Sequence, residues 1–204
     1  MSVAERAAPR AGAPLPAEFF ARDPVEVARD LIGCTIDHAG AGGTIVETEA
    51  YREDDPASHS HRGPRGRAVV MFGPPGRLYV YRSYGLHWCA NLVCGPEGAG
   101  AAVLLRAVRP ERGLPAMRHR RGPVPDRLLA AGPGRLTQAL GITGDLDGAP
   151  ATGPHAAVRV GARAGRPAVT AGPRIGISRA VDVPWRFGLA GSPHLSRPFP
   201  EGAR

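Results

Sequence analysis

A series of short strand-like segments, with no helix predicted between them, most constrains how this chain folds. These segments are Cys34–Asp37, Gly43–Tyr51, Arg77–Arg82, Leu86–Val93 and Ala101–Val108. Strands that do not alternate with helices in βαβ units are typical of an α+β domain, which is the fold class we expect. Between the third and the fourth segments, Ser83, Tyr84 and Gly85 predict a tight hairpin turn.

Helices are predicted at three places. Asp23 followed by Pro24 is typical of a helix N-cap and first turn, and apolar residues at helical spacing follow as far as Gly33. Pro110–Arg121 and Pro133–Leu140 predict two further short helices. Weaker strand signals lie near the end of the chain, at 157–160, 174–177 and 185–189. The polar segment 52–68 predicts a long loop, and long loops inside a domain are usually functional or mobile.

The length of 204 residues and the hydrophobic content of 43% fit one domain with a substantial core. The first residues are rich in Ala, Pro, Gly and Arg, a composition that favours disorder. We therefore expect a disordered tail over residues 1–16 and a single domain over residues 17–204.

The charge is strongly positive, and all 26 basic residues are arginine. A formal net charge of +8 favours a polyanionic partner, but a basic enzyme without such a partner fits equally well. Because the chain has no lysine, no side-chain amine is available to form a Schiff base with a substrate.

The three cysteines, Cys34, Cys89 and Cys94, are odd in number and form no CxxC pair. This pattern favours reduced thiols over a disulfide framework. His87 with Cys89 and Cys94 is a weak candidate zinc set, because no fourth ligand stands at a standard spacing. No segment is apolar enough for a transmembrane helix or the core of a signal peptide, so we expect a cytoplasmic protein.

The segment Val46–Tyr51 carries the chemistry that first suggests a function. On a strand, Glu47, Glu49 and Tyr51 share one face. A half-buried glutamate there is a candidate general base, because burial raises its pKa. Two alternatives remain at this point: a salt-bridged structural carboxylate, or a Glu47–Glu49 pair of the kind that glycoside hydrolases use.

Aromatic and polar side chains elsewhere fit a flat, aromatic substrate such as a nucleobase. Tyr51, His59 and Tyr81 are candidates for stacking on it, with core packing as the alternative. Tyr84 at the hairpin tip, with Leu86 beyond it, is either a wedge between base pairs or an ordinary turn residue.

Two further polar residues lie in otherwise apolar strands. Arg106 interrupts an apolar strand and needs an anionic partner, for which Glu49 is a candidate. Asn91 either contacts base substituents or makes a structural hydrogen bond.

Six segments in this order resemble the alkyladenine (3-methyladenine) DNA glycosylase family, and the resemblance runs from about residue 18 to about residue 200. They are EFFARDPVEVARDLIG (18–33), VETEAY (46–51), DPASH (55–59), MFGPPGRLYVYRSYGLHWCAN (71–91), VLLRAV (103–108) and GPGRLTQALGI (132–142). The resemblance implies one α+β domain on a curved, mostly antiparallel sheet with flanking helices and a β-hairpin that inserts into DNA. It also implies an enzyme of base excision repair that flips alkylated or deaminated purines, such as 3-methyladenine and hypoxanthine, out of double-stranded DNA and removes them by hydrolysis.

The resemblance also implies roles for individual residues. Glu49 would activate the attacking water and Arg106 would help to place both; Tyr51, His59 and Tyr81 would hold the flipped base. Asn91 would help to reject guanine-like purines, and Tyr84, with Leu86 beside it, would fill the gap left in the duplex. No metal or cofactor is implied, and we expect a monomer that works at the bacterial nucleoid. Without the resemblance, a non-catalytic nucleic-acid-binding module and a glycoside hydrolase remain as alternatives.

Overall fold

One antiparallel sheet dominates the molecule. The computed structural model describes residues 12–203, and within them the strands pair in the order β3–β4–β5–β2–β1–β6, with β8 beside β2 and β7 beside β8. The strands are β1 (Thr35–His38), β2 (Ala41–Tyr51), β3 (Leu78–Ser83), β4 (His87–Cys94), β5 (Ala101–Arg112), β6 (Arg159–Gly161), β7 (Val169–Gly172) and β8 (Arg186–Leu189). All of these pairings are antiparallel. The expected α+β class and antiparallel sheet are confirmed.

The helices are few and short. They are α1 (Ala17–Phe20), α2 (Pro24–Asp30), α3 (Leu114–Arg121) and α4 (Pro133–Leu140), with 3₁₀ turns at His59–Arg62, Gly66–Phe72, Asp126–Leu128 and Gly144–Leu146. The predicted start of α2 is confirmed, because the carboxylate of Asp23 accepts a hydrogen bond from the backbone N–H of Val25.

The sheet curves along its longest pair of strands, β2 and β5. Their register shifts between Gly42 and Gly43 and again on both sides of Glu47. Such bulges bend a strand and increase its twist. Glycine is required at the first bend, because a Cβ atom at Gly43 would overlap the carbonyl oxygen of Arg109. The second bend lies beside the two glutamates of β2.

Strand β2 has two different neighbours along its other edge. Its first half pairs with β1 through Ala41–Thr44, and its second half pairs with β8 through Glu47–Glu49. The sheet therefore forks, and residues 47–49 lie at its centre between β5 and β8. This position explains why both glutamates are fully buried.

The two faces of the sheet have different roles. One face packs against α2 and α4 in a core that includes Ala28, Ile45, Leu105 and Leu136. Thr48 faces the same way, because its hydroxyl donates to the carbonyl of Ala28. The side chains that alternate with these along β2 therefore point to the opposite face, where the candidate site lies.

The structure corrects several predicted boundaries. Residues 174–177 form no strand, because the chain bends there to pack against β2, and residues 110–112 extend β5 rather than beginning a helix. Strand β7 was not predicted, because its short Gly/Ala-rich segment has no clear periodicity. Residues 12–16 lie along β6, where Leu15 donates to the carbonyl of Val160, so the folded part extends back to residue 12. The rest of the expected tail, residues 1–11, lies outside the described residues.

The predicted loop 52–68 is largely irregular but contains one short 3₁₀ turn and the start of another. Within residues 12–203, no helix combines the length and the apolar character needed to cross a bilayer.

Candidate active site

A row of paired residues across four strands forms the floor of the candidate site. Tyr79 of β3 pairs with Asn91 of β4, Asn91 pairs with Leu104 of β5, and Leu104 pairs with Glu49 of β2. Residues directly opposite one another in a sheet point to the same face. Sheet register alone therefore places a tyrosine, an amide and a carboxylate on one surface.

A pocket of about 600 Å³ opens on this surface. That volume lies within the range of small-molecule sites in proteins. Its walls come from strands β2 to β5, the loop 56–59 and the segment 175–179. The lining residues that matter here are Tyr51, His59, Arg67, Tyr79, Tyr81, Tyr84, Cys89, Asn91, Arg106 and Ile175.

Glu49 lies directly behind the wall of the pocket and has no exposed surface. Its Oε1 accepts a 2.8 Å hydrogen bond from the N–H of Ile175, and its Oε2 accepts a 2.9 Å bond from the hydroxyl of Tyr51. Nη1 of Arg106 lies 3.2 Å from the same Oε2. All three of these donors line the pocket. Burial raises the pKa of Glu49 above its ordinary value, although the charge of Arg106 and the two hydrogen bonds oppose that rise.

Arg106 joins the two glutamates of β2. Its Nε donates to Oε1 of Glu47 at 3.0 Å while Nη1 contacts Glu49. Burial alone would lower the pKa of Arg106, but the two carboxylates raise it, so the guanidinium stays charged. The predicted pairing of Arg106 with Glu49 is confirmed, and Glu47 is a second partner.

Glu47 has a structural role, because it binds side chains and backbone from three parts of the chain. Besides Arg106, it accepts hydrogen bonds from Arg186 of β8 and from both the N–H and the hydroxyl of Ser196. Burial acts to raise the pKa of Glu47, but Arg106, Arg186 and Ser196 together hold it below its ordinary value. Two of the residues that bind Glu47, Arg186 and Ser196, do not line the pocket, whereas all three donors to Glu49 do. Glu47 is therefore held away from the pocket and is not available as the second carboxylate of a glycoside hydrolase.

The aromatic residues form one connected wall. Nδ1 of His59 and the hydroxyl of Tyr79 are 2.9 Å apart, and the ring of His59 packs edge-on against Tyr81 with centroids 4.6 Å apart. The rings of Tyr79 and Tyr81 stack at 5.4 Å. Burial, helped by the charge of Arg67, lowers the pKa of His59, so the imidazole is neutral near pH 7.

The hairpin between β3 and β4 projects two large apolar side chains into solvent. Tyr84 is 90% exposed and Leu86 is 71% exposed. Tyr84 also has a left-handed backbone with φ of 49°, which is uncommon for a bulky residue. Tyr84 reaches the rim of the pocket, whereas Leu86 does not line it. Neither residue folds back onto the sheet.

Comparison with known proteins assigns the chain to a family. The family model described as methylpurine-DNA glycosylase matches residues 18–193. The chain belongs to the methylpurine-DNA glycosylase family. Similar proteins carry the name "Putative 3-methyladenine DNA glycosylase". One from Nitrobacter winogradskyi is 56% identical over 94% of this chain and 91% of its own length. One from Rhodopseudomonas palustris is 57% identical over 89% and 87%, and one from Nitrosospira multiformis is 56% identical over 90% and 94%.

Most of the residues that the sequence predicted for a methylpurine-DNA glycosylase site lie together. Tyr51, His59, Tyr81, Asn91 and Arg106 line one pocket, with Tyr84 at its rim. Glu49 lies immediately behind the wall and Leu86 lies farther along the hairpin. Their assigned roles stay predictions.

Several residues of the site were not predicted from the sequence. Tyr79 stands two residues before Tyr81 on the same strand, so the period-2 pattern of β3 was a usable signal for it. Arg174, Arg186 and Ser196 contact β2 from more than 120 residues away in sequence, and no local pattern marks them.

The alternative zinc set is not assembled. Cys89 lines the pocket while Cys94 lies in the core on the other face of β4, and all three cysteines are free and buried. Among residues 12–203, no group of three or more His, Cys, Asp or Glu side chains is arranged to hold a metal ion.

Proposed function

We propose that the protein is a monofunctional DNA glycosylase that hydrolytically removes alkylated or deaminated purines, such as 3-methyladenine and hypoxanthine, from double-stranded DNA. The observation that carries the proposal is the position of Glu49. A buried carboxylate, held by Arg106, Tyr51 and Ile175, lies directly behind the wall of an aromatic pocket. Membership of the methylpurine-DNA glycosylase family supports the same activity.

The target base must leave the duplex to reach this pocket. Rotating a nucleotide out of the stack costs a few kcal/mol, least for a damaged base. The exposed ring of Tyr84 at the rim offsets part of this cost by filling the gap, and Leu86 extends the same apolar surface. The basic composition of the chain supports contacts to the DNA phosphates.

The aromatic side chains hold the flipped purine, and Asn91 on the floor of the pocket determines which purines fit. Tyr51, His59 and Tyr81 provide surfaces for stacking and edge contacts. Asn91 is buried, and its amide N–H donates to the carbonyl of Tyr79 at 2.9 Å, so its side chain is fixed in place. A fixed group at this position excludes purines that carry the additional 2-amino group of guanine.

The charged groups beside the pocket, Glu49 and Arg106, support hydrolysis of the bond between the sugar and the base. The bond from C1′ of the sugar to the purine nitrogen breaks and its electron pair leaves with the base, most easily when the base is already cationic. A water oxygen bonds to C1′, and Glu49 accepts the proton that this water loses. Arg106 keeps the carboxylate in position. Access of water to the buried carboxylate requires one of the three donors to give way when the nucleotide enters.

The product is an abasic site with the strand intact. A β-lyase reaction through a lysine Schiff base is impossible because the chain contains no lysine. Pure hydrolysis therefore agrees with the composition as well as with the site.

Release of free base from defined duplexes tests the proposal. The purified protein is incubated with duplexes that contain hypoxanthine or 3-methyladenine at one position, and with an undamaged duplex as control. We expect release from a damaged duplex, abasic product, and no release from the control. Tight binding to damaged or abasic DNA without any release would instead identify a non-catalytic nucleic-acid-binding protein.

A further inference from the structure

A buried ion pair next to the pocket has no part in the chemistry described above. Arg174 and Asp55 have almost no exposed side-chain surface, and neither residue lines the pocket. Both guanidinium Nη atoms contact the carboxylate, with Nη2 3.0 Å from Oδ1, so the pair is bidentate. Stability alone does not explain such a pair, because well-packed apolar residues in its place are often equally stable or better.

Arg174 contacts the end of β2, where the stacking residue lies. Its Nη1 donates to the carbonyl of Ala50 at 3.0 Å. Its guanidinium carbon lies 4.8 Å from the centre of the Tyr51 ring. This is the geometry of a cation–π contact, and it restricts the ring of Tyr51.

Asp55 extends the same contact to the loop that carries His59. Its Oδ1 accepts a hydrogen bond from the N–H of Ala57 at 3.0 Å while the carboxylate binds Arg174. Ala57 and Ser58 lead directly to His59 and line the pocket themselves. The position of this loop therefore depends on the ion pair.

The third connection runs to the carboxylate behind the pocket wall. Ile175 follows Arg174 in the chain, and its N–H donates to Glu49 at 2.8 Å. Because Arg174 is fixed by β2 and Asp55, the next backbone N–H is fixed as well. The side chain of Arg174 thus connects β2, the loop 55–59 and the segment that begins at residue 175.

We infer that Arg174 is a positioning residue of the active site, which acts through Asp55, Tyr51 and the backbone of Ile175 to hold Glu49 and the base-binding wall in register. The inference rests on the proposed function and adds a residue to it. Misplacement of reacting groups by about 1 Å costs roughly 100-fold in rate, so an effect on the chemical step is expected.

Arg174→Lys tests the inference, with Asp55→Asn as a second variant that breaks the same pair from the other side. Release of hypoxanthine is measured in single turnover with saturating enzyme in excess, because the rate constant then does not depend on the fraction of folded protein. Arg163→Lys is the matched control, since Arg163 also pairs with an aspartate, Asp30, and contacts backbone carbonyls. Unlike Arg174, which packs against the pocket-lining ring of Tyr51, Arg163 has hydrogen-bond partners that do not line the pocket.

We expect both test variants to lose roughly 10- to 100-fold in rate constant, with DNA affinity within about twofold of the wild type. The acidic limb of the pH–rate profile should move to higher pH, because a carboxylate that loses the Ile175 hydrogen bond is more easily protonated. The other titratable groups that face Glu49 are unchanged in these variants; they are Arg106, Glu47, Tyr51 and Cys89. Arg163→Lys should change neither the rate constant nor the position of the acidic limb.

Either of two results overturns the inference. One is release at the wild-type rate by a folded test variant. The other is a slower rate with an unmoved acidic limb, since Glu49 would then have kept its donor. If the wild type itself releases no base, the proposed function fails and the inference fails with it, which is a distinct result.

Discussion

The hydroxyl of Tyr51 donates a 2.9 Å hydrogen bond to Oε2 of Glu49, two residues earlier on the same face of β2. The residue proposed to stack on the base is therefore bonded to the residue proposed to activate water. Arg106 contacts the same carboxylate oxygen at 3.2 Å. In the proposed mechanism, base binding and catalysis would be coupled through this single oxygen.

Substitution of Tyr51 separates the ring from the hydroxyl. Tyr51→Phe keeps the stacking surface and removes one of the donors to Glu49, so we expect base release to persist with its acidic limb moved to higher pH. Tyr51→Ala also removes the ring, which costs about 1–3 kcal/mol of stacking and slows release much further. Single-turnover release by both variants is the measurement. Equal losses in the two variants would show that the ring is not what matters.

The pH dependence of the wild-type enzyme should report Glu49. A general base must be ionised, and burial raises the pKa of this carboxyl above its ordinary value of 4.5. The rate should therefore fall as the pH decreases through that raised pKa, tenfold per pH unit once the carboxyl is mostly protonated. Hypoxanthine duplexes serve for this experiment, because the base is neutral when bound. A rate that stays constant below pH 4.5 would contradict the assignment.

The two glutamates should have opposite effects on stability. The pKa of Glu47 is held below its ordinary value, so its ionised form stabilises the fold above that value and the stabilisation is lost as the pH falls. Glu47→Gln leaves Arg106 and Arg186 undercompensated and should cost about 3–5 kcal/mol. The raised pKa of Glu49 means that its ionised form costs stability at neutral pH. Glu49→Gln should therefore have a Tm equal to or above that of the wild type.

Thermal unfolding at pH 7 compares these two variants directly. The expected loss for Glu47→Gln corresponds to a fall in Tm of roughly 6–20 °C for a chain of this size. A larger fall for Glu49→Gln than for Glu47→Gln would reverse the assignment of the structural and catalytic carboxylates.

The hairpin tip should matter for DNA and not for folding. Tyr84 is 90% exposed and has φ of 49°, so Tyr84→Gly relieves backbone strain and should leave the Tm unchanged or higher. Loss of the ring should weaken engagement of damaged duplex by about 1–3 kcal/mol. Binding and single-turnover release measure this effect. Glu97→Ala, in the exposed turn at the other end of β4, is the control. An equal loss in this variant would show that the hairpin has no specific part in binding damaged DNA.

Local features of the fold were predictable from the sequence. Asp23 and Pro24 set the start of α2 through capping, and the hairpin at Ser83–Gly85 was visible because a glycine turn separates two strand patterns. The 174–177 segment was predicted as a short strand, but it packs as an irregular segment against Glu49. Tertiary contacts decided its conformation, and a local pattern does not contain them.

The site was predictable where its residues interrupt a pattern. Arg106 breaks an apolar strand, and the predicted carboxylate partner is present. Arg174, Arg186 and Ser196 were not predictable, because their partners on β2 are set by sheet topology rather than by spacing along the chain.

The most direct test of the account is base release by Glu49→Gln, measured in single turnover alongside binding to the same damaged duplex. Gln keeps the size of the side chain and an oxygen to accept from Ile175 but cannot take a proton from water. We expect binding to persist while the release rate falls by roughly 10²- to 10⁴-fold, the usual contribution of a general base. Release at the wild-type rate by the folded variant would contradict the assignment of Glu49 as the catalytic base.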